Sequence, residues 1–412
     1  MIAQFKEIIQ KNYILLLSFL FFILVLVMNT YFIDQNEQFS SLANSFLHFK
    51  TYFLDTSKGN MDMTFVRGHY YWPLGPFPAV LLMPFVFLSS LTGHNFYQAF
   101  LNFPIGIVVF YLVYLLAKSL NYNKTDRYYW SFAFCFVSIY TFVFVNSSSW
   151  YFSQAIATCL MLLFLHLFLN VRRRPWLLGM IIAILLATRP FAALACILFL
   201  VCLTFADRKE NIEYKKYLYK VFLLSPFIPL VAVWLAYNQF SFGHLFSAGY
   251  KEQILTYLPL AIARECGLFS PVHIPGNLYY ALLALPEPLF RDGTSKVLAF
   301  PYLVPSPWGT SMFFISPYLF YLFLIDYKTK IVRILLGVSL VTFLPIAMYY
   351  GIGIFQYGYR YGLDFFPLVF LLLMIGYKNK FGNLNNTVKG LIIIFGFINY
   401  WLINILYNYG KM

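Results

Sequence analysis

The stretch DMTFVRGHYYWPLGPFPAVLLMPF, from Asp62 to Phe85, decides in which orientation the rest of the chain would cross a membrane. It opens with an acid, an arginine, a histidine and a run of aromatic residues, and then becomes apolar. The apolar part is interrupted by Pro73, Pro76, Pro78 and Pro84. Proline removes a backbone donor and disrupts a helix interior, so the stretch is either a damaged membrane span or a segment at the membrane surface.

The composition around it is that of an integral membrane protein. The 412 residues are 61% hydrophobic, 22% aromatic and only 11% charged. Long apolar runs recur, without the short alternating segments of an outer-membrane barrel, so we expect an all-α membrane protein. No small-residue cleavage site follows the first run, 13–33, which we interpret as a retained span and not a removed signal peptide.

The net charge of +14 does not indicate nucleic acid, because the basic residues form short clusters between apolar runs. The five cysteines suggest neither a disulfide framework nor a metal cluster. About eleven apolar runs have roughly spanning length. They lie near 13–33, 96–117, 128–146, 151–170, 175–188, 190–206, 220–240, 311–325, 331–350, 355–376 and 389–408.

The basic connections set the orientation. With a cytoplasmic N-terminus and no crossing at 73–92, every basic connection faces the cytoplasm, as the positive-inside rule requires. If 73–92 crossed, VRRRP at 171–175 would face outward. We therefore predict that the opening stretch is an interfacial, re-entrant or flat-lying helix. One membrane domain, 1–412, should then carry its polar mass in two outer loops, 34–95 and 241–310.

The first outer loop contains candidate catalytic acids. Asp34 and Glu37 follow the first span and precede an amphipathic helix, and Asp62 lies further along the loop. Acids at a membrane boundary are commonly solvated helix flanks. Three carboxylates in one loop nevertheless form a pool for a general base.

Arginines at the membrane face are candidates for binding an anion. Arg189 interrupts two apolar runs in ATRPF, and Arg360 lies in FQYGYRYGLDFFPL, four residues before Asp364. Snorkelling would explain Arg189, and an i,i+4 ion pair would explain Arg360 with Asp364. Planar guanidinium groups also suit a lipid-linked phosphate.

Further binding candidates come from the polar and aromatic clusters of the predicted outer face. Trp and Tyr commonly anchor a membrane protein at the interface, but their faces can also stack on sugar rings. The chain has no glycine-rich phosphate loop, metal-spaced cluster or nucleophile elbow. The candidates are Arg67, His69, Tyr71, Trp150 and Tyr359.

The order of these segments resembles bacterial GT-C-fold membrane glycosyltransferases, and more distantly the protein O-mannosyltransferases and lipid A aminoarabinose transferases. The resemblance runs from about residue 30 to 376. It is carried by the acids after the first span and then, in order, by GHYYWPLGPFPAVLLMPF, SSSWYFSQA, LLATRPFAAL, NQFSFGHLFSAGY, GLFSPVHIPGNLYY and QYGYRYGLDFFPLVFLLL.

The resemblance implies transfer of a sugar, with inversion, from a polyprenyl-phosphate donor to a lipid-linked or small glycan acceptor. It places the reaction at the extracytoplasmic face of a bacterial inner membrane. A first-loop Asp would be the base, although the family's adjacent Asp-Glu is replaced here by Asp34 and Glu37 on either side of QN. Arg189 matches the family's TRP and Arg360 its YRY, as candidates for the donor phosphate. The sequence requires no cofactor or metal. A divalent ion bound by first-loop carboxylates, as in oligosaccharyltransferases, stays an open alternative, although the paired acidic motifs expected for it are absent.

Two other functions remain open. An O-antigen polymerase or ligase shares many spans and a long outer loop, but concentrates function in later loops. A lipid or polysaccharide transporter should carry ionisable residues in mid-membrane near broken helices. His166 is the ionisable residue deep in a predicted span, and such a histidine is more often hydrogen-bonded than a proton relay.

Overall fold

The computed structural model describes residues 2–33, 36–56, 61–170, 174–206, 213–291 and 296–409. Within these ranges the chain is mainly helical. The helices are α1 (Ile2–Asn29), α2 (Gln38–Leu47), α3 (Phe77–Ser90), α4 (Ala99–Ser119), α5 (Lys124–Phe136), α6 (Tyr140–Val145), α7 (Ser149–Asn170), α8 (Pro175–Leu186), α9 (Pro190–Ala206), α10 (Glu213–Phe222), α11 (Phe227–Phe242), α12 (Leu258–Glu265), α13 (Ile274–Leu278), α14 (Met312–Ile315), α15 (Lys330–Met348), α16 (Phe366–Phe381) and α17 (Asn386–Tyr409). The strands are β1 (Thr64–Val66), β2 (His69–Tyr71), β3 (Glu287–Phe290) and β4 (Leu298–Val304).

Six helical segments within the described ranges are long and apolar enough to cross a membrane, which makes this a multi-pass membrane protein. They are Tyr13–Phe32, Ala99–Ser119, Ser149–Asn170, Lys216–Phe242, Lys330–Met348 and Asn386–Asn408. Each corresponds to one of the eleven predicted spans. The fourth combines the end of α10 with α11, across a turn at 223–226.

The other five predicted spans are short or broken. Helices α8 and α9 have 12 and 17 residues. The run 311–325 forms α14 and a 3₁₀ segment, and 355–376 contains a 3₁₀ turn before α16. The count of about eleven spans therefore stays a prediction.

The predicted span 128–146 breaks at Ser138. The Ser138 hydroxyl donates to the Phe134 carbonyl and accepts from the Tyr140 amide, and Thr141 Oγ1 accepts from the Ser138 amide. Such side-chain bonds compete with the helical ladder, so α5 ends and α6 begins around this residue.

The opening stretch contains α3, whose length agrees with a segment that does not cross. Its 14 residues give a helix of about 21 Å, shorter than the hydrocarbon core of about 30 Å. Pro78 lies in its first turn, where no donor is lost, and Pro84 lies in its interior. Helix α3 packs against α2, the amphipathic helix predicted for the first loop. Its placement at the membrane interface stays a prediction.

The two hairpins correct the prediction of an all-α chain. Strands β1 and β2 pair antiparallel with Val66 opposite His69, so Arg67 and Gly68 form a two-residue turn. Both turn residues have positive φ, 51° and 81°, as a type I′ turn requires. Aromatic and β-branched residues flank this turn, and such residues favour strands. They lie within the stretch for which the sequence predicts an interfacial helix.

The chain divides into two compact units, each built from separated segments. The first contains residues 1–28, 107–145 and 269–412, and the second contains 29–106 and 146–268. In the first unit, Trp130 lies edge-on to Tyr318, Phe370 and Tyr377. In the second, Phe39, Trp72 and Phe152 lie at the centre of an apolar core that α2 and α3 share with α7.

Candidate active site

Glu37 is a buried carboxylate in the second unit, at the start of α2. Its side chain is only 6% exposed. Oε2 accepts a hydrogen bond from Ser40 Oγ at 2.6 Å and another from the Gln98 amide at 2.7 Å. The first turn of α2 and the start of α4 thus meet at one carboxylate oxygen. These bonds offset part of the cost of burying the charge.

Gln98 is the centre of the polar network around Glu37. Its Nε2 donates to the Ser147 carbonyl at 2.6 Å and to the Asn36 carbonyl at 3.3 Å, and its Oε1 accepts from Ser149 Oγ at 3.1 Å. The Ser149 amide also donates to the Asn36 carbonyl. The network therefore joins the first loop to the serine-rich turn that precedes Trp150.

An aromatic cluster lies beside this network. Trp72 is fully buried, and its ring lies 5.8 Å from that of Trp150 and 6.0 Å edge-on from that of Phe39. Trp150 is partly buried against this core. The predicted sugar-stacking residue Trp150 is thus held in the core of the unit, with part of its surface accessible.

Three candidates lie together on the β1–β2 hairpin. The His69 ring stacks on Tyr52, with centroids 3.9 Å apart and planes at 14°. Burial raises the pKa of the Tyr71 phenol, while the nearby Arg67 guanidinium lowers it and Tyr52 raises it. With its pKa raised on balance, Tyr71 stays protonated at neutral pH and can donate a hydrogen bond. Arg67 and His69 are exposed, so the hairpin presents cationic and aromatic groups to the surface.

Asp62 lies where the two predicted outer loops join. Its amide donates to the Ile254 carbonyl at 3.1 Å, and the Ile254 amide donates to the Met63 carbonyl at 2.8 Å. Gln253 Nε2 donates to the Asp62 carbonyl, and Thr64 pairs with Gln253 in an antiparallel bridge. The early part of loop 241–310 is therefore a partner of the first loop.

Arg189 lies in the turn between α8 and α9, on which the proline-rich stretch rests. The Phe77 amide donates to the Ala187 carbonyl at 3.0 Å. A Cβ added at Gly75 would lie 2.2 Å from the same carbonyl oxygen. The turn that carries Arg189 is thus fixed against the opening stretch by direct backbone contact. The Arg189 side chain itself is half-buried.

Tyr359, Arg360 and Asp364 lie in the first unit, and all three are buried. Arg360 is 7% exposed, and its guanidinium lies 5.0 Å from the centre of the Tyr361 ring. Tyr359 Oη donates to Asn277 Oδ1 at 2.7 Å. Residues 360–364 form a 3₁₀ turn and not the α-helix assumed for an i,i+4 pair. At three residues per turn, side chains four apart point about 120° apart, so helical spacing does not explain this cluster.

Two buried amides hold the segment around Arg360. Gln356 Oε1 accepts from the Arg360 amide at 3.4 Å, and its Nε2 donates to the carbonyls of Trp308 and Ile352. Asn277 Nδ2 lies 3.0 Å from the carbonyl oxygens of Ala347 and Tyr349. The segment that leads to Arg360 is therefore held by two buried amides.

Sequence reasoning missed the residues that position the site. Gln98, Asn277 and Gln356 are fully buried amides whose neighbours in the sequence are mainly apolar. A single amide within an apolar segment is a usable signal, because burying it unbonded is costly.

The structure places Glu37, Asp62, Arg67, His69, Tyr71, Trp150 and Arg189 in one unit and Tyr359, Arg360 and Asp364 in the other. Asp34 lies outside the described residues. Among those described, no group of three or more His, Cys, Asp or Glu side chains is arranged to hold a metal ion.

Comparison with known proteins gives distant structural similarity. No family model matches the chain, and no curated protein matches its sequence. The solved structures that it resembles include the oligosaccharyltransferase AglB of the archaeon Archaeoglobus fulgidus, in complex with an inhibitory peptide and a dolichol-phosphate. The identity is 14% over 96% of this chain and 56% of that one, with a TM-score of 0.45.

Two further structures of an Archaeoglobus fulgidus oligosaccharyltransferase are similar. The apo form is 15% identical over 94% of this chain and 54% of that one, with a TM-score of 0.41. The form tethered to an acceptor peptide containing the NVT sequon is 13% identical over 97% and 55%, also with a TM-score of 0.41. This chain thus spans little more than half the length of these enzymes.

Proposed function

We propose that the protein is a membrane glycosyltransferase that moves a sugar from a polyprenyl-phosphate donor to a lipid-linked or small glycan acceptor. The observation that carries the proposal is the buried Glu37 network, at the start of a loop that also presents cations and aromatic rings. Ionisable groups buried close to an apolar span are costly, and they are characteristic of functional sites. The bilayer supplies the lipid-borne substrate.

The proposed reaction is a single displacement at the anomeric carbon. The acceptor oxygen attacks that carbon, a first-loop carboxylate takes the hydroxyl proton, and the bond to the donor phosphate oxygen breaks. Asp34, Glu37 and Asp62 are the proposed candidates for the base. Inversion follows from attack on the face opposite the leaving phosphate.

The leaving phosphate gains negative charge as its bond breaks, so a fixed cation stabilises the transition state more than the ground state. Arg189 and Arg360 are the two candidates for this group. The Arg360 amide donates to Gln356 Oε1, and the turn that carries Arg189 is held by the opening stretch. Tyr359 and Asp364 would shape its surroundings, while Arg67, His69, Tyr71 and Trp150 would contact acceptor or sugar.

The test is transfer by the purified protein in vesicles supplied with polyprenyl-phosphate sugars. Asp34→Asn, Glu37→Gln and Asp62→Asn are compared with wild type. Loss of a general base should lower the rate about 10²- to 10⁴-fold in one of them. Glu37→Gln keeps a side-chain oxygen that can accept the hydrogen bonds from Ser40 and Gln98. Thermal stability, measured in parallel, shows whether a variant has lost catalysis or has lost its folded structure. Full transfer by all three variants would contradict the assignment.

The alternative function is that of a transporter, which would move lipid across the bilayer without transferring a sugar. His166, its mid-span candidate, lies with Nδ1 3.1 Å from Asn170 Nδ2, one turn further along α7. The same vesicles, assayed for movement of the lipid donor between leaflets, distinguish the two activities. Analysis of product length then distinguishes single transfer from polymerisation.

A further inference from the structure

The β3–β4 hairpin of the first unit pairs antiparallel, in a register that changes along its length. Glu287 lies opposite Val304, and Phe290 lies opposite Leu298, with an irregularity between Pro288 and Phe290. The Arg291 amide donates to the Val297 carbonyl at 2.8 Å, at the end of the strands nearest the tip. Directly opposed residues lie on the same face of an antiparallel pair, so Phe290 and Leu298 share a face.

Further apolar side chains of β4 are also exposed. Phe300 and Tyr302 follow Leu298 in the part of β4 where the pairing register shifts and Tyr302 has a positive φ of 73°, so strand alternation does not assign them to one face. All four side chains, Phe290, Leu298, Phe300 and Tyr302, are exposed, with Phe300 at 75%. Pro301, between Phe300 and Tyr302, is buried. The hairpin thus exposes several large apolar side chains, the reverse of a sheet that packs such side chains into a protein core.

The position of the hairpin indicates what covers these exposed side chains. Strand β4 packs against α17, which contains one of the six apolar spanning segments. That helix itself exposes Phe397 and Trp401. The hairpin therefore lies beside a surface that must be covered by lipid.

Charge at the tip limits how deep the hairpin can lie. Arg291 and Lys296 are both exposed at the tip end of the strands. A cationic end beside aromatic side chains suits the boundary between acyl chains and anionic headgroups. The outer edges of a two-stranded sheet carry backbone N–H and C=O groups that have no strand partner. Water is not available to these groups in the hydrocarbon core, so the hairpin cannot lie that deep.

We propose that the exposed side chains of Phe290, Leu298, Phe300 and Tyr302 form an interfacial anchor that inserts into the headgroup region of an anionic lipid bilayer. Phe300, as the most exposed side chain, lies deepest in the interface. Arg291 and Lys296 contact lipid phosphates. This role does not depend on the proposed transfer reaction, and it holds the long loop at the membrane surface.

The test measures the depth of a nitroxide label at Phe300→Cys in vesicles of phosphatidylcholine and phosphatidylglycerol. Exposed Cys202 and Cys266 are replaced by serine in the background. Accessibility of the label to oxygen and to a water-soluble nickel chelate is compared with two references. Leu340→Cys on α15 reports the lipid-facing surface, and Lys251→Cys reports an aqueous loop.

The label at Phe300 should be reached by oxygen nearly as well as the label at Leu340, and much less by nickel than the label at Lys251. The double substitution Arg291→Gln with Lys296→Gln should move it toward the aqueous value. Free access of nickel at Phe300 and at Tyr302→Cys would overturn the proposal. Shielding from both reagents would also overturn it, because a protein partner or a second copy would then cover these side chains.

Discussion

At Gly75 two segments meet backbone to backbone, and a single methyl group should separate them. The added carbon would lie 2.2 Å from the Ala187 oxygen and 2.8 Å from the Thr188 nitrogen, and main-chain atoms cannot rotate away. We expect Gly75→Ala to lower the free energy of unfolding by about 1–3 kcal/mol and to displace the turn that carries Arg189.

Gly337→Ala is the matched control, measured by thermal unfolding in the same detergent. Gly337 lies in α15 with no atom near the added carbon, so alanine should be neutral or slightly stabilising. Equal melting temperatures for the two variants would show that the contact at Gly75 is not tight.

Asp126 and Lys389 form an ion pair in the first unit. Asp126 is fully buried, Lys389 Nζ lies 2.8 Å from its Oδ1, and Oδ2 accepts from the Leu384 amide at 2.9 Å. Lys389→Met leaves a buried carboxylate without its cation and should cost about 3–5 kcal/mol. Asp126→Asn should cost less, because the lysine is partly exposed and can reach solvent.

A double-mutant cycle on thermal stability checks this pair. The variant with both substitutions should be more stable than the sum of the two single losses predicts, because no uncompensated charge remains. Strict additivity would mean that the two side chains do not act as a pair.

At the scale of elements, the antiparallel bridge between Thr64 and Gln253 is the joint between the two predicted outer loops. Opposed residues of such a bridge have Cα atoms about 4.5–5.5 Å apart, which is within disulfide range. Thr64→Cys with Gln253→Cys should therefore crosslink on mild oxidation, as detected by peptide mapping of the digested protein.

Each single cysteine variant controls for reaction with native thiols, above all exposed Cys266. The prediction is wrong if the double variant forms no disulfide, or if a new cysteine pairs equally well with Cys266. Either result would mean that the two loops are not joined at this bridge.

How much of these elements the sequence predicts depends on the range of the interactions involved. Local patterns predict the amphipathic helix α2, the six long apolar helices and a non-crossing stretch around Pro84. They do not predict the break at Ser138, because a lone serine in an apolar run more often bonds within a continuous helix. They do not predict the type I′ turn at Arg67 and Gly68 either, because arginine is not favoured at a positive φ and the surrounding apolar residues favour a helical interpretation.

For the candidate site, sequence reasoning identifies charged residues but not their supports. It selects Arg360 and Glu37, which the structure shows to be buried. The amides that hold these residues are Gln356, Asn277 and Gln98. Some of the groups that these amides bond lie more than 60 residues away in the chain. No local spacing predicts such contacts, because they arise only when the helices pack.

For the whole molecule, the charge pattern predicts that loop 241–310 faces outward and the 326–333 connection faces the cytoplasm. Lys251 and Lys328 are both exposed and serve as reporters. In intact cells a membrane-impermeant thiol reagent should label Lys251→Cys and should reach Lys328→Cys only after permeabilisation. The reverse labelling pattern would mean that the chain crosses the membrane in the opposite orientation, with the candidate acids on the cytoplasmic side.

The measurement that tests the central claim most directly is the anomeric configuration of the product formed in vesicles from a polyprenyl-phosphate sugar, read by NMR. Single displacement by an acceptor hydroxyl predicts one product, with the configuration opposite to that of the donor. Arg360→Lys should slow its formation without changing that configuration, because lysine keeps the charge but loses the planar fork. A product that retains the donor's configuration, or movement of lipid with no transfer from any donor, would contradict the account.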